Sequence, residues 1–286
     1  MYTLIKKSGE IIKDSFNLLS YLIWVFIRYP YRTKLNKKLG KLVILANGPS
    51  INKDLQNIKN NIGKADFMVM NYMALEDVFY ELKPEHYCLI DPMFFYKTHR
   101  EDEAKNLFNI LNTKVDWKLT IYIPLYFKSK FKEFSNLNNK NIDVVSINNC
   151  TYFGFEKLRI YFYKIGLSCP ELYSVISMGI YIGIKSKYDC LDLYGVEHTF
   201  FNNLQTNKEN QLSAVYDHFY ESNTINKLKP LLKSDTGEVW RVSDYIIEKG
   251  LLFKSHDQLN SFAKSMEVSI VNCTVNSLID SYTRVE

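Results

Sequence analysis

The chain has 286 residues, 47% hydrophobic and 23% charged, with a net charge of +5. These globular values exclude a disordered chain and a polytopic membrane protein, and the length suits one large α/β domain or one domain with extras. The charge is uneven: residues 1–41 carry nine basic and two acidic side chains, net +7, while the remainder is −2. The body therefore has no cationic excess for phosphate backbones, which excludes a general nucleic-acid binder.

The first element is an uncharged run from Ser15 to Ile27, flanked by Asp14 and Arg28. As a helix it reaches only ~20 Å, against roughly 30 Å of hydrocarbon. It does not fit a signal peptide either, because acids precede it and no small-residue cleavage site follows. One expectation is a helix lying on a membrane surface, with Tyr21, Trp24 and Tyr29 at headgroup level. Arg28, Arg32, Lys34, Lys37 and Lys38 would then face anionic lipid. The alternatives are packing on the domain or contact with a second copy in a homo-oligomer. The expected organisation is an arm over 1–40 and a domain over 41–286.

In the body, Lys41–Ala46 reads as a buried strand and 50–61 as a helix. Strands are expected at 66–70, 87–90, 119–123, 141–147, 189–194 and 267–271. Helices are expected at 100–112, 155–165, 174–186, 257–266 and 276–283. This alternation predicts a doubly wound, mostly parallel, Rossmann-like α/β sheet covered on both faces. In such sheets the ligand crevice lies beyond the strand C-termini. Asn47, Asn71, Asp91, Glu197, His198 and Asn272 all fall there. Residues 200–236 break the rhythm with a polar stretch and a short aromatic helix around Tyr216–Tyr220, as expected of a lid.

Asn47-Gly48-Pro49-Ser50 is a candidate phosphate- or nucleotide-facing loop: Gly48 permits close approach, Pro49 stiffens the turn, and Ser50 would cap the next helix. It is neither a Walker loop nor G-x-G-x-x-G. No D-x-D triplet occurs, and the five cysteines contain no C-x-x-C pair, so no metal site is expected. Cysteines without spacing suit reduced thiols in the cytoplasm. Two histidines suit a general base, His198 at a strand end and His218 in the lid; His86, His99 and His256 lack such context. Ser174, Ser177 and Tyr220 are hydroxyls that could serve a leaving phosphate.

The string L-V-I-L-A-N-G-P-S at 42–50 resembles the opening strand and loop of bacterial sialyltransferases of glycosyltransferase family 42, and of related motility-accessory and lipopolysaccharide-biosynthesis proteins with a G-N-G-P-S loop. The likeness continues at Asn71, at Leu89–Phe95 (where the family has Asn in place of Asp91) and through 174–195. It extends to Gly195-Val196-Glu197-His198-Thr199, His218-Phe219-Tyr220 and Cys273–Leu278. It covers about 41–286, spread thinly. The resemblance implies a variant GT-A-type fold and a metal-independent, inverting transferase using a CMP-activated acidic sugar, sialic acid-like or Kdo-like, with no cofactor besides this donor. The acceptor would be a glycan or lipid-linked glycan of surface polysaccharide or lipopolysaccharide, met at the cytoplasmic face of the cell membrane. Asn47, Gly48 and Asn71 would contact the nucleotide, and His218 would be the base with His198 as its rival. The tyrosines that bind the donor phosphate in the sialyltransferases are not matched, since Thr199, Phe200 and Phe201 stand there, and the Gly195–His218 spacing is shorter. Two other readings compete: an ATP- and magnesium-dependent phosphotransferase like the pterin diphosphokinases, and a non-catalytic binding protein of the same fold.

Overall fold

The computed structural model describes residues 2–28, 31–98, 100–202, 204–214, 228–233 and 236–285, with backbone only at 2–7, 26 and 28. His99, His218 and the aromatic stretch Tyr216–Tyr220 lie outside the described residues.

The chain opens with α1 (Tyr2–Arg28), longer than the apolar run suggests. Then follow β1 (Lys41–Leu45), α2 (Ile51–Lys59), β2 (Ala65–Met70), α3 (Asp77–Leu82), β3 (His86–Cys88), α4 (Glu101–Lys114), β4 (Leu119–Pro124), α5 (Lys128–Ser135), β5 (Ile142–Ile147), α6 (Glu156–Ile165), α7 (Val175–Lys185) and β6 (Cys190–Tyr194). After the insertion come α8 (Val242–Met266), β10 (Ser269–Asn272) and β11 (Thr283–Arg284). The insertion itself holds β7 (Gln205–Thr206), β8 (Leu212–Ala214) and β9 (Lys229–Pro230), a small antiparallel sheet.

The main sheet has eight strands in the order β11-β10-β6-β1-β2-β3-β4-β5, and its pairings are parallel. β1 alternates Leu42 and Ile44 toward one face with Val43 and Leu45 toward the other. The first face packs against α6, α7 and α8, and the second against α2 to α5. This is the doubly wound architecture that two buried faces demand of a strand without polar alternation. α7 can approach closely because Gly183 faces Leu191 and Leu42; a Cβ there would come within 2.7 Å of the Leu191 side chain.

Residues 31–40 form a strap rather than a free arm. Thr33 is buried, its N–H donates to Gly166 O, and its hydroxyl accepts the Asn148 N–H at 2.8 Å. Lys38, expected to face lipid, pairs with Asp66 at 3.1 Å. α1 packs on α6 and the 150–152 segment through Tyr21, Val25, Phe162, Cys150 and Tyr152. α1 and the strap thus share hydrophobic contacts with the body through Leu18, Tyr21, Leu22, Val25 and Leu35. α1 also carries a second apolar stripe, Ile12, Phe16, Leu19, Ile23 and Ile27, at helical spacing and exposed. Among the described residues no helix is long and apolar enough to cross a membrane.

Near the C-terminus the expected elements shift. α8 begins at Val242, not 257, and residues 276–282 run as a turn and irregular backbone into β11 instead of a helix. This course arises because Asn272 and Ser277 bind each other and the neighbouring backbone, which competes with helix formation.

Candidate active site

β1 leads to one side of the sheet through β2 and lies beside β6 on the other, so the strand order reverses between them. A cavity of about 420 Å³ opens there, at the C-terminal ends of β1, β2 and β6. This is the position where open α/β sheets bind ligands. Asn47, Gly48, Pro49, Asn71, Ser174, Glu197 and His198 all line it. The sequence expectation thus finds seven of its residues around one space.

The loop after β1 is built by its partners. Gly48 N–H donates to Gly195 O at 2.9 Å, and Ser50 N–H donates to Glu197 Oε1 at 2.7 Å. A Cβ on Gly48 would lie 1.5 Å from Glu197 Oε2 and 2.5 Å from Gly195 O, so only glycine fits. The start of α2, expected to receive a ligand's anion, is therefore already occupied by the Glu197 carboxylate. Ser50 makes no side-chain cap, and its hydroxyl is buried and unpartnered. Asp54, near this carboxylate, has its own carboxyl pushed up, first by burial and then by Glu197.

The helix end that does face the cavity is that of α7, through Ser174, Val175 and Ile176. The positive end of its dipole, of order +0.5 charge, is a fixed positive potential at this space, and among the described residues no Lys or Arg lines it. Ser174 Oγ lies 3.1 Å from Ser177 Oγ. Ser177 is fully buried and sits behind the wall instead of lining it.

Asn71 adopts a left-handed backbone, φ 53°, at the end of β2. The Tyr87 hydroxyl donates to its carbonyl and Cys88 O accepts its N–H, which fixes this conformation. Its side-chain Oδ1 and that of Asn47 are buried without a partner. Buried polar atoms are nearly always satisfied, so two such acceptors lining one cavity call for donors beyond the described side chains.

His198 also has a left-handed backbone, φ 51°. Its ring lies tilted against Phe200 (centroids 4.9 Å apart) and meets Phe253 edge-on. Its Nε2 lies 3.0 Å from Nε2 of His256, whose Nδ1 lies 2.9 Å from the Tyr282 hydroxyl. Burial, then His256 and Lys249, holds His198 well below the usual imidazole range, and burial pushes His256 down to about 3. Both rings are neutral near pH 7, and one proton serves the contact between them.

Besides Ser50 and Ser177, two more expected residues stand off the cavity. Asp91 is half-buried at the end of β3 with its carboxyl raised by burial, and it lines no part of this space. Asn272 is buried, donating to Ser277 Oγ and accepting from Thr274 N–H; Thr274 Oγ1 in turn accepts Val196 N–H, and Leu278 N–H donates to Glu197 O. The segment 272–278 is therefore a clamp on the 195–198 turn, which explains its place in the motif without ligand contact. Conversely, Phe253 and His256 brace His198 from behind the cavity lining, with Tyr282 behind His256, though their sequence context offered little. Their one signal is that His256 occupies the buried stripe of α8 with Leu252, Leu259 and Phe262. Among the described residues no group of three or more His, Cys, Asp or Glu side chains is placed to hold a metal ion.

No family model matches the chain, and no characterised protein matches it in sequence. Among solved structures, a MAf glycosyltransferase from Magnetospirillum magneticum AMB-1 is similar to it at 15% identity and a TM-score of 0.47. The match covers 89% of this chain and 35% of that one, so the chain spans about a third of that protein's length.

Proposed function

We propose that the chain is a glycosyltransferase that moves an acidic sugar, sialic acid-like or Kdo-like, from a CMP-activated donor to a glycan or lipid-linked glycan, with inversion and without a metal. The observation that carries this reading is the pair of unpartnered acceptors, Asn47 Oδ1 and Asn71 Oδ1, beside neutral His198 at the sheet's switch point. A cytosine amino group or ribose hydroxyls supply the donors these oxygens lack. The α7 start, with Ser174, suits the single phosphate of a CMP-sugar.

The chemistry follows from those groups. The acceptor hydroxyl loses its proton to a base, its oxygen attacks the anomeric carbon, and the bond from that carbon to the phosphate oxygen breaks, releasing CMP. With Nε2 of His198 engaged by His256, Nδ1 is the nitrogen left to take the proton. A bound phosphate raises the pKa of this imidazole toward the working range. His218 is the rival base, by the resemblance of its His-Phe-Tyr string.

The phosphotransferase reading needs clustered carboxylates at the cavity. Glu197 is committed to the Gly48–Ser50 loop, and Asp91 stands elsewhere. A thermal-shift panel of CMP, CDP, UDP, GDP and ATP, with and without magnesium, tests the assignment. A CMP shift indifferent to magnesium supports it; an ATP shift that requires magnesium supports the phosphotransferase; no shift leaves a binding protein.

We also assign α1 to a membrane surface. Its outward stripe of Ile12, Phe16, Leu19, Ile23 and Ile27 is exposed, as are the cations Arg32, Lys34 and Lys37 that follow in sequence. Because Tyr21 and Thr33 are buried against the body, deletion would disturb the body itself. The cleaner test is Phe16→Glu with Ile23→Glu in a flotation assay on anionic liposomes, and retained binding would sink this assignment.

A further inference from the structure

A second cavity, of about 520 Å³, lies between α1 and the ends of β4 and β5. We propose that it binds neutral sugar residues of the acceptor glycan, an inference that rests on the transferase reading above.

Its lining is mixed in a specific way. Three aromatic rings present themselves there: Tyr126 (65% exposed), Phe153 (54%) and Trp24 (37%). Amides and hydroxyls accompany them, Asn17 from α1 and Asn149 and Thr151 from the loop after β5. Among the described residues no charged side chain contributes. A phosphate or nucleotide would find no cation among them. An acyl chain would desolvate the amides without giving them a hydrogen bond, which costs free energy at each. A sugar ring satisfies both sets, laying its C–H face on an aromatic ring and its hydroxyls on the amides.

Continuity with the donor cavity carries the second half of the argument. A middle opening of about 340 Å³ shares Tyr126, Asn149 and Thr151 with the α1 cavity and is also lined by Tyr173. The next residue, Ser174, lines the donor cavity. The strand order sets these openings in sequence along one edge of the sheet, from β6, β1 and β2, past β3 and β4, to β5. α1 is the far wall. Asn17, Ser20 and Trp24 face the cavity, while the apolar stripe of the same helix faces outward. A lipid-linked acceptor lying against the stripe would offer its sugars to the cavity and its growing end to His198.

The test is an array of neutral and acidic oligosaccharides probed with labelled full-length chain, alongside its Tyr126→Ala variant and Tyr161→Ala, an exposed tyrosine elsewhere, as control. Binding to neutral oligosaccharides, about tenfold weaker for Tyr126→Ala and unchanged for Tyr161→Ala, is the expected result. No binding across the array, binding to acidic glycans alone, or indifference to Tyr126→Ala would overturn the proposal. So would tryptophan fluorescence showing that decanoate occupies the cavity in a Tyr126-dependent way while no glycan does. The CMP thermal shift is measured on the same three proteins. Glycan binding without a CMP response sinks the transferase reading and leaves the sugar site; a CMP response without glycan binding does the reverse.

Discussion

His86 and His256 are both buried, and each has both ring nitrogens engaged, yet they stand at opposite edges of the sheet. At the N-terminal edge, His86 meets Tyr188 at 2.8 Å and Tyr122 at 3.2 Å, and the network ends on Asp66 and Lys38. At the C-terminal edge, His256 joins Tyr282 to His198, and among the described residues the hydrogen bonds run through no carboxylate before reaching the donor cavity. Asp66 is held well below the usual carboxylate range, first by His86 and then by Tyr188 and Lys38, against the cost of burial. The first network is locked by an ion pair and ties the strap to the sheet. The second is neutral and opens on a ligand space, so a proton can enter or leave it. The presence of histidine and tyrosine does not separate a structural from a chemical cluster; where the charge ends does.

The largest effect expected from this contrast is on transfer itself. His198→Ala should lower the transfer rate by roughly 10²–10⁴-fold while the CMP thermal shift persists, since one general base contributes on that scale. His256→Phe should cost about tenfold, the loss of one orienting hydrogen bond, and should displace the pH–rate profile. An enzyme crippled by His218→Ala but indifferent to His198→Ala would move the base to the 200–236 insertion and make the His198–His256–Tyr282 chain a structural one.

Much of this division is legible before any coordinates. The strands around β1 declare themselves by apolar runs that end in Asn or Gly, and the cavity residues follow from the rule that ligands sit beyond such ends. What the runs do not disclose is which polar side chain points into the space. Asn272 stands at a strand end like Asn47, yet it binds Ser277 and Thr274 because β10 is followed by a tight turn. Glu197 lines the cavity, yet its carboxylate closes the loop beside it. His256 escaped because its helix starts far upstream, at Val242, over a mixed polar and apolar stretch with little amphipathic contrast, and partners 58 and 26 residues away leave no local spacing to read.

The next effect in size concerns the floor of the donor cavity. Gly48→Ala forces a methyl group against Glu197 and Gly195, an overpacking that costs about 1–3 kcal/mol. The melting temperature should fall and the CMP response should vanish. Glu197→Ala combined with it should recover only part of the stability, because the Gly195 carbonyl remains in the way. An alanine variant that still binds CMP normally would show that the loop is a plain turn.

A gentler probe is pH. His256 titrates near 6.5 when unfolded and at about 3 when folded, so in between the unfolded chain holds a proton that the native chain does not. Stability is then full above pH 6.5 and declines as the pH falls toward 3, at roughly 1–2 kcal/mol per pH unit for this group. The melting temperature should drop between pH 7 and 5, and His256→Phe should flatten that slope. An unchanged slope would mean that the ring is solvated and that the chain to His198 is not intact.

The smallest effect on transfer belongs to the other network. Asp66 has a depressed folded pKa, so its contribution is present above the unfolded value near 4 and is lost as the pH falls below it. The two networks therefore fail in different windows, the His256 chain from about pH 6.5 downward and the Asp66 pair only below about 4. Asp66→Asn removes the charge that Lys38 and His86 share. With the carboxylate partly open to solvent, the loss should be about 1–2 kcal/mol, below that of a fully buried pair. The transfer rate per folded molecule should stay within twofold or so of the parent, because nothing in this network reaches the donor cavity. A large loss of rate in Asp66→Asn at full stability would break the comparison, since it would mean that the N-terminal edge of the sheet communicates with the reacting end.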